Sequence, residues 1–163
     1  ADFATSLGGG MDVEEVIKKF SSSPDAGTPD AGTLAQRQDQ IDDAFGKGSV
    51  PEIIARLEEM SNAGDAWAKN TLGILRTNCP LSVMATFEAI NAASGKSLEK
   101  CLAAEYRFAH RAVVGTEFFE GVRAAVIDKD KSPQWHPPTL EDVTPEMVRA
   151  TLAPLGKNEI NLR

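Results

Sequence analysis

From Leu34 onward, apolar residues recur three and four positions apart almost without interruption, the spacing that lines one face of an α-helix. Leu34, Ile41 and Phe45 mark the first such face, which stops at Gly46. Ile53, Ile54, Leu57 and Met60 mark the second. Ser49-Val50-Pro51-Glu52 ahead of it reads as a capping box, with Ser49 as cap, Pro51 early in the helix and Glu52 reaching back. Asp65 caps a third, with Trp67, Thr71, Ile74 and Leu75 inward, until Cys79-Pro80 breaks it. Val83, Met84, Phe87 and Ile90 line a fourth, which ends at Gly95. Ser97 opens the longest helix, reaching about Val114, with Leu98, Cys101, Leu102, Glu105, Phe108, Ala109, Ala112 and Val113 on its inner face. Gly115 ends it and Thr116 caps the next, where Phe119, Val122, Ala125 and Val126 face inward and Gly121 permits close helix approach. Thr139-Leu140-Glu141-Asp142 and Thr144-Pro145-Glu146-Met147 read as two further helix starts, the last helix running to about Leu155 before Gly156.

Ahead of Leu34 the pattern changes. Ala1 to Thr5 is short enough to be the end of a strand, and Ser6 to Gly10 is a Gly-rich connector. Met11 to Phe20 is a short amphipathic helix with Val13, Val16, Ile17 and Phe20 at helical spacing. Ser21 to Thr33 holds a tandem Pro-Asp-Ala-Gly-Thr and no large apolar residue, so it reads as a linker. No stretch after residue 5 alternates with period two. The chain is therefore predicted to be all-α, with about eight helices, organised as an N-terminal segment, 1–35, and a helical domain, 36–163.

Composition narrows the function classes. A chain of 163 residues is long enough for one domain with its own core. Its net charge of −7 is repelled by phosphate backbones and anionic lipid, which disfavours direct nucleic-acid contact. No apolar run approaches the ~20 residues of a membrane span. Cys79 and Cys101 form neither a disulfide scaffold nor a zinc pattern and read as reduced packing residues. His110 and His136 have no partner at metal-ligand spacing, so no metal site is expected. Gly8-Gly9-Gly10 lacks the preceding strand and the Lys-Ser/Thr of a phosphate loop. A first residue of Ala1 rather than Met points to processing or to a preceding segment.

One stretch is specific. Glu105-Tyr106-Arg107, then Phe118-Phe119-Glu120-Gly121-Val122-Arg123-Ala124, then Ile127-Asp128-Lys129-Asp130, Pro133 and Trp135, resemble the C-terminal signature of 3-hydroxyisobutyryl-CoA hydrolases, a branch of the crotonase (enoyl-CoA hydratase) superfamily. The resemblance extends over residues 36–145 and includes Thr77 to Pro80 with the helix that follows. It implies a helical C-terminal domain that packs on a core of repeated ββα turns, with the catalytic carboxylates and the oxyanion-hole glycines in that core and outside this chain. It also implies mitochondrial placement.

Thioester hydrolysis needs a carboxylate to position water and donors for the oxyanion. Glu105, Glu117, Glu120, Asp128 and Asp130 are the carboxylates at hand, and each has a structural reading. Glu117 and Glu120 suit the first turn of a helix. Glu105 is expected to pair with a cation such as Arg123, and Asp128 and Asp130 to order the loop around Lys129. No catalytic residue and no cofactor is therefore assigned. Lys129 is retained as a CoA-binding residue, because the resemblance places a lysine there near the CoA nucleotide and a cation suits a phosphate. The expected role is a non-catalytic structural subunit. Its partner would carry a crotonase-type core or be a large mitochondrial complex, with an acyl-CoA as the small-molecule ligand. The alternative is the C-terminal part of a working CoA-thioester hydrolase of valine catabolism.

Overall fold

A serine, an aspartate and a threonine set where three of the helices begin. In a computed structural model that describes residues 9, 12–20 and 34–162, the Ser49 hydroxyl accepts from the Glu52 N–H at 3.4 Å. Asp65 accepts from the Trp67 and Ala68 N–H groups at 2.9 and 3.1 Å, and Thr144 accepts from the Met147 N–H at 3.3 Å. Each bond satisfies a donor that the first turn of a helix leaves open. The reach-back of Glu52 goes one residue past the expected box: its carboxylate takes the Gly48 N–H, not that of Ser49, at 3.0 Å.

Among the described residues the chain is all-α, with no strand. It divides into two compact units, Ala1–Ile41 and Asp42–Arg163. The first contains α1 (Val13–Phe20), where Val16 is buried, a 3₁₀ turn at Ala35–Arg37 and the start of α2 (Gln38–Phe45). The strand end expected at Ala1 to Thr5 and the linker expected at Ser21 to Thr33 lie outside the described residues.

The second unit holds the rest of α2, then α3 (Val50–Asn62), α4 (Ala66–Thr77), α5 (Pro80–Ala93), α6 (Leu98–Val114), α7 (Glu117–Val122) and α8 (Pro145–Leu152). A π-helical turn, Arg123–Ile127, continues α7, and a 3₁₀ turn, Gly156–Asn158, follows α8. Helices α3 and α4 pack side by side, and α5, α6 and α8 form a second group. The first core joins Ala44, Ile53, Leu57, Ala68 and Leu72, flanked by Ile54, Met60, Trp67, Leu75 and Phe87. The second joins Ala85, Val143 and Val148, flanked by Leu81, Met84 and Phe108. Arg56 ties α3 back to α2 by gripping Asp43 with two N–H groups at 2.9 and 2.6 Å.

Several expected inner faces are not inner. Ile74 and Ile90 are exposed, and Ala68, Leu72 and Ala85 occupy the core positions of α4 and α5 instead. On α6 the half-buried side runs through Cys101, Phe108 and Ala112, while Leu98, Leu102, Glu105, Ala109 and Val113 face solvent. On α7 and the π turn, Ala124 is buried while Phe119, Ala125 and Val126 are exposed. These stripes are wider than the neighbours this chain supplies, so a residue of the right type and spacing still ends outside. The helix expected at Thr139 does not form. Thr144 is held extended ahead of Pro145, which leaves too few residues for a stable turn, and Thr139 Oγ1 donates to Asp142 in a bend. By the same rule α8 stops at Leu152, because Ala153 is extended before Pro154.

Candidate functional site

The specific stretch folds as α6, a turn at Gly115, α7 with its π turn, and a loop to Trp135 and beyond. Its centre is Arg123. A guanidinium has five N–H donors in one plane, and each has an acceptor here. Nε and Nη2 grip the Glu120 carboxylate at 2.9 and 2.7 Å. Nη1 reaches Asp128 and Asp130, both at 2.6 Å, and Nη2 also donates to the Ser132 carbonyl at 3.1 Å. The π turn makes this possible. The Asp128 N–H bonds the Arg123 carbonyl five residues back, at 2.8 Å, so the chain folds over the guanidinium rather than continuing along the helix axis.

The carboxylates are anchored from both sides. Glu120 also accepts from the Gln134 N–H at 2.7 Å, and Asp130 from the Ser132 N–H at 2.9 Å. The Arg123 guanidinium, then the Gln134 N–H, lower the Glu120 acid from its ordinary value to about 2. Arg123 first and the Ser132 N–H second hold Asp130 below the usual carboxylate range, and the same contacts push Arg123 up. All three groups are fixed in their charged forms, which suits a structural lock and not a proton carrier near neutral pH.

Glu117 serves a different seam. Its Oε2 accepts from the His136 N–H at 3.2 Å and from the Cys79 thiol at 3.8 Å, joining α7, the loop and the start of α5. Trp135 closes the loop by donating Nε1–H to the Thr77 carbonyl at 3.0 Å. An apolar cleft of about 390 Å³ opens beside this seam, lined by Cys79, Phe108, Phe118, Val122, Val126 and Trp135 among others.

The structure thus gathers Glu120, Asp128 and Asp130 on one cation and sets Glu117 against Cys79. It does not bring Glu105 to Arg123, whose donors are taken; Glu105 stays exposed on α6. Nor do Asp128 and Asp130 turn to Lys129. Lys129 is exposed in the left-handed region, φ 57°, as is Lys131 at φ 54°. His110 is half-buried with Nδ1 unbonded, and His136 contributes its backbone N–H. Cys79 and Cys101 are free thiols, Cys79 buried and Cys101 half-buried. Among the described residues no group of three or more His, Cys, Asp or Glu could hold a metal ion, and no helix is long and apolar enough to cross a membrane.

A family model described as enoyl-CoA hydratase/isomerase matches residues 3–152. The chain belongs to this family. It corresponds to the C-terminal region of the crotonase superfamily. The mitochondrial 3-hydroxyisobutyryl-CoA hydrolase of Dictyostelium discoideum is 41% identical over 120 residues, covering 73% of this chain and 31% of that protein. The small ribosomal subunit protein mS47 of Arabidopsis thaliana is 38% identical over 133 residues, covering 79% and 32%. The crystal structure of an enoyl-CoA hydratase from Rhodobacter sphaeroides 2.4.1 superposes with a TM-score of 0.78 at 35% identity, covering 98% of this chain and 45% of that one. The chain spans about a third of the length of these curated relatives. Relatives in this family are named as mitochondrial proteins, in agreement with the placement implied by the sequence resemblance.

Arg123 is the residue that sequence reasoning missed. The sequence pairs it with Glu105 instead. The signal that could have found it is the run Glu120, Arg123, Asp128, Asp130: one arginine among three carboxylates within eleven residues.

Proposed function

We propose that this chain is a non-catalytic docking part of a 3-hydroxyisobutyryl-CoA hydrolase-like protein, serving as a structural subunit of a larger mitochondrial assembly. One observation carries the reading: Glu120 and Asp130, the carboxylates anchored most heavily in the family-specific stretch, are locked as anions by Arg123 and backbone N–H groups. A large apolar surface supports it. Phe118, Phe119, Val126 and Ile127 stand exposed beside the cleft, Phe119 at 59%, as expected of a face that another protein surface covers. The similarity to mS47, whose name places that protein in a ribosomal small subunit, supports an assembly role.

A second reading is favoured by the similarity to proteins named 3-hydroxyisobutyryl-CoA hydrolase. In it the same helices belong to a working thioester hydrolase whose ββα core supplies the catalytic groups from elsewhere. Lys129, exposed on the loop, then meets the phosphates of the CoA nucleotide.

Two measurements test the readings, and the second separates them. The isolated chain should not hydrolyse 3-hydroxyisobutyryl-CoA, and turnover by it would defeat both. Affinity purification from mitochondria followed by mass spectrometry identifies the partner. A crotonase-type core with an intact carboxylate pair supports the split enzyme, and an assembly without one supports the scaffold. In the enzyme case Lys129→Ala should raise KM for the CoA thioester with kcat little changed. An unaltered KM would remove Lys129 from the site.

A further inference from the structure

We propose that Ser132 is a phosphorylation site for a proline-directed serine/threonine kinase, and that a phosphoryl group there opens the loop that Arg123 holds closed. Ser132 is followed by Pro133, the pairing that this class of kinase reads. Every residue from Ile127 to Ser132 is exposed, and the backbone from Lys129 to Trp135 is neither helix nor strand. The Ser132 N–H donates to Asp130, and its carbonyl accepts from Arg123 and Gln134. Its hydroxyl, by contrast, is engaged by no hydrogen bond among the described residues. Thr144-Pro145 is the other such pair among those residues, and the Thr144 hydroxyl is occupied as the cap of α8. Ser23-Pro24 and Thr28-Pro29 lie outside the described residues.

The transfer needs ATP and the kinase alone. The kinase's base takes the hydroxyl proton and an Oγ–P bond forms. The bond between the γ-phosphorus and its bridging oxygen breaks, and ADP leaves with that oxygen. The product carries about −1.5 to −2 charge at neutral pH. Its surroundings are already anionic: Glu120, Asp128 and Asp130 against the single guanidinium of Arg123 leave two negative charges at the loop's anchor. Every Arg123 N–H has an acceptor, so the phosphoryl oxygens gain a donor from it only by displacing a carboxylate. A phosphoserine beside carboxylates with no free donor disrupts by like-charge repulsion. Backbone strain acts in the same direction. Lys129 and Lys131, on either side of Asp130, hold a positive φ that L side chains rarely adopt, and opening the loop relieves it. The loop also carries Trp135, whose bond to the Thr77 carbonyl closes it. The inference uses neither functional reading above, and the failure of either would leave it standing.

The full chain carrying Ser23→Ala and Thr28→Ala, incubated with a mitogen-activated protein kinase and Mg-ATP, tests it. One phosphoryl group should be added, located at Ser132 by fragment mass spectrometry, and adding Ser132→Ala should abolish the transfer. In the modified chain the Ser132 and Gln134 amides should exchange roughly tenfold faster, with helical circular dichroism unchanged. That difference should shrink at high salt, as repulsion between exposed charges requires. The unsubstituted chain, isolated from its native source under phosphatase inhibitors, should yield a peptide phosphorylated at Ser132. No transfer to Ser132, transfer that leaves amide exchange unaltered or slower, or absence of that phosphopeptide from native material would each overturn the proposal.

Discussion

The Trp135 ring occupies the space a side chain on Gly121 would need: a Cβ there would stand 3.2 Å from Cη2 of the indole. The ring is pinned from its other end by the bond from Nε1 to the Thr77 carbonyl. A methyl group at Gly121 gains helix propensity and loses a few tenths of an ångström of clearance, so Gly121→Ala should change stability by less than about 1 kcal/mol. Gly121→Val adds two methyls against a fixed ring and should cost about 2 kcal/mol. Urea melts of the two variants, with Trp135 fluorescence in a Trp67→Phe background, check the ordering; a Val variant as stable as wild type would mean the ring is not fixed.

Arg123→Lys keeps the charge and removes the planar fork. A single ammonium cannot serve Glu120, Asp128, Asp130 and the Ser132 carbonyl together. The loop from 128 to 136 should loosen, with a melting temperature lower by roughly 5 °C and faster amide exchange at Ser132 and Gln134. Lysine performing as well as arginine would show that charge alone holds the loop.

The acid side of the stability profile follows from the same cluster. Glu120 titrates near 2 in the folded chain against an ordinary value of 4.5. A depressed carboxylate contributes stability that is complete above the unfolded value and is lost as pH falls through the folded one. Asp130, Asp43 and Glu159 are lowered too and act with the same sign. Stability should therefore decline from pH 4.5 toward about 2, and Glu120→Gln should make that decline shallower. Thermal melts across this window, wild type against variant, give the comparison; parallel slopes would show that Glu120 is not linked to folding.

Leu57 is fully buried where α2, α3 and α4 meet. Leu57→Ala should cost about 3 kcal/mol, the usual range for a leucine whose site cannot collapse. Asp65→Ala, which removes two bonds to the first turn of α4, should cost about 1 kcal/mol. Equal losses in chemical denaturation would indicate that the core around Leu57 relaxes to fill the space.

Local chemistry was legible in the sequence, and neighbours were not. Ser49, Asp65 and Thr144 begin their helices because a short polar side chain before an apolar run has few other uses. Gly46 and Gly115 follow the ends of α2 and α6 as expected. Ile74 and Ile90 were placed inward because spacing reports a face and not what covers it. The partners of Arg123 lie three residues back and five and seven residues on, and the last two reach it only through a π turn, which no helical periodicity announces. The bond from Trp135 to Thr77 spans 58 residues and depends on how α4 and the loop are assembled.

Arg111 reaches from α6 to the Thr151 and Pro154 carbonyls, at 3.0 and 3.4 Å, and so finishes the end of α8 with a side chain from forty residues earlier. Nearby, Glu159 binds Arg107 of the same helix and the Leu155 N–H. A helix of eight residues is too short to persist alone in water. Closed in this way, α8 has no folding transition of its own: it gains and loses its structure together with α6, and the two helices form one cooperative element although the loop to Trp135 separates them in the chain.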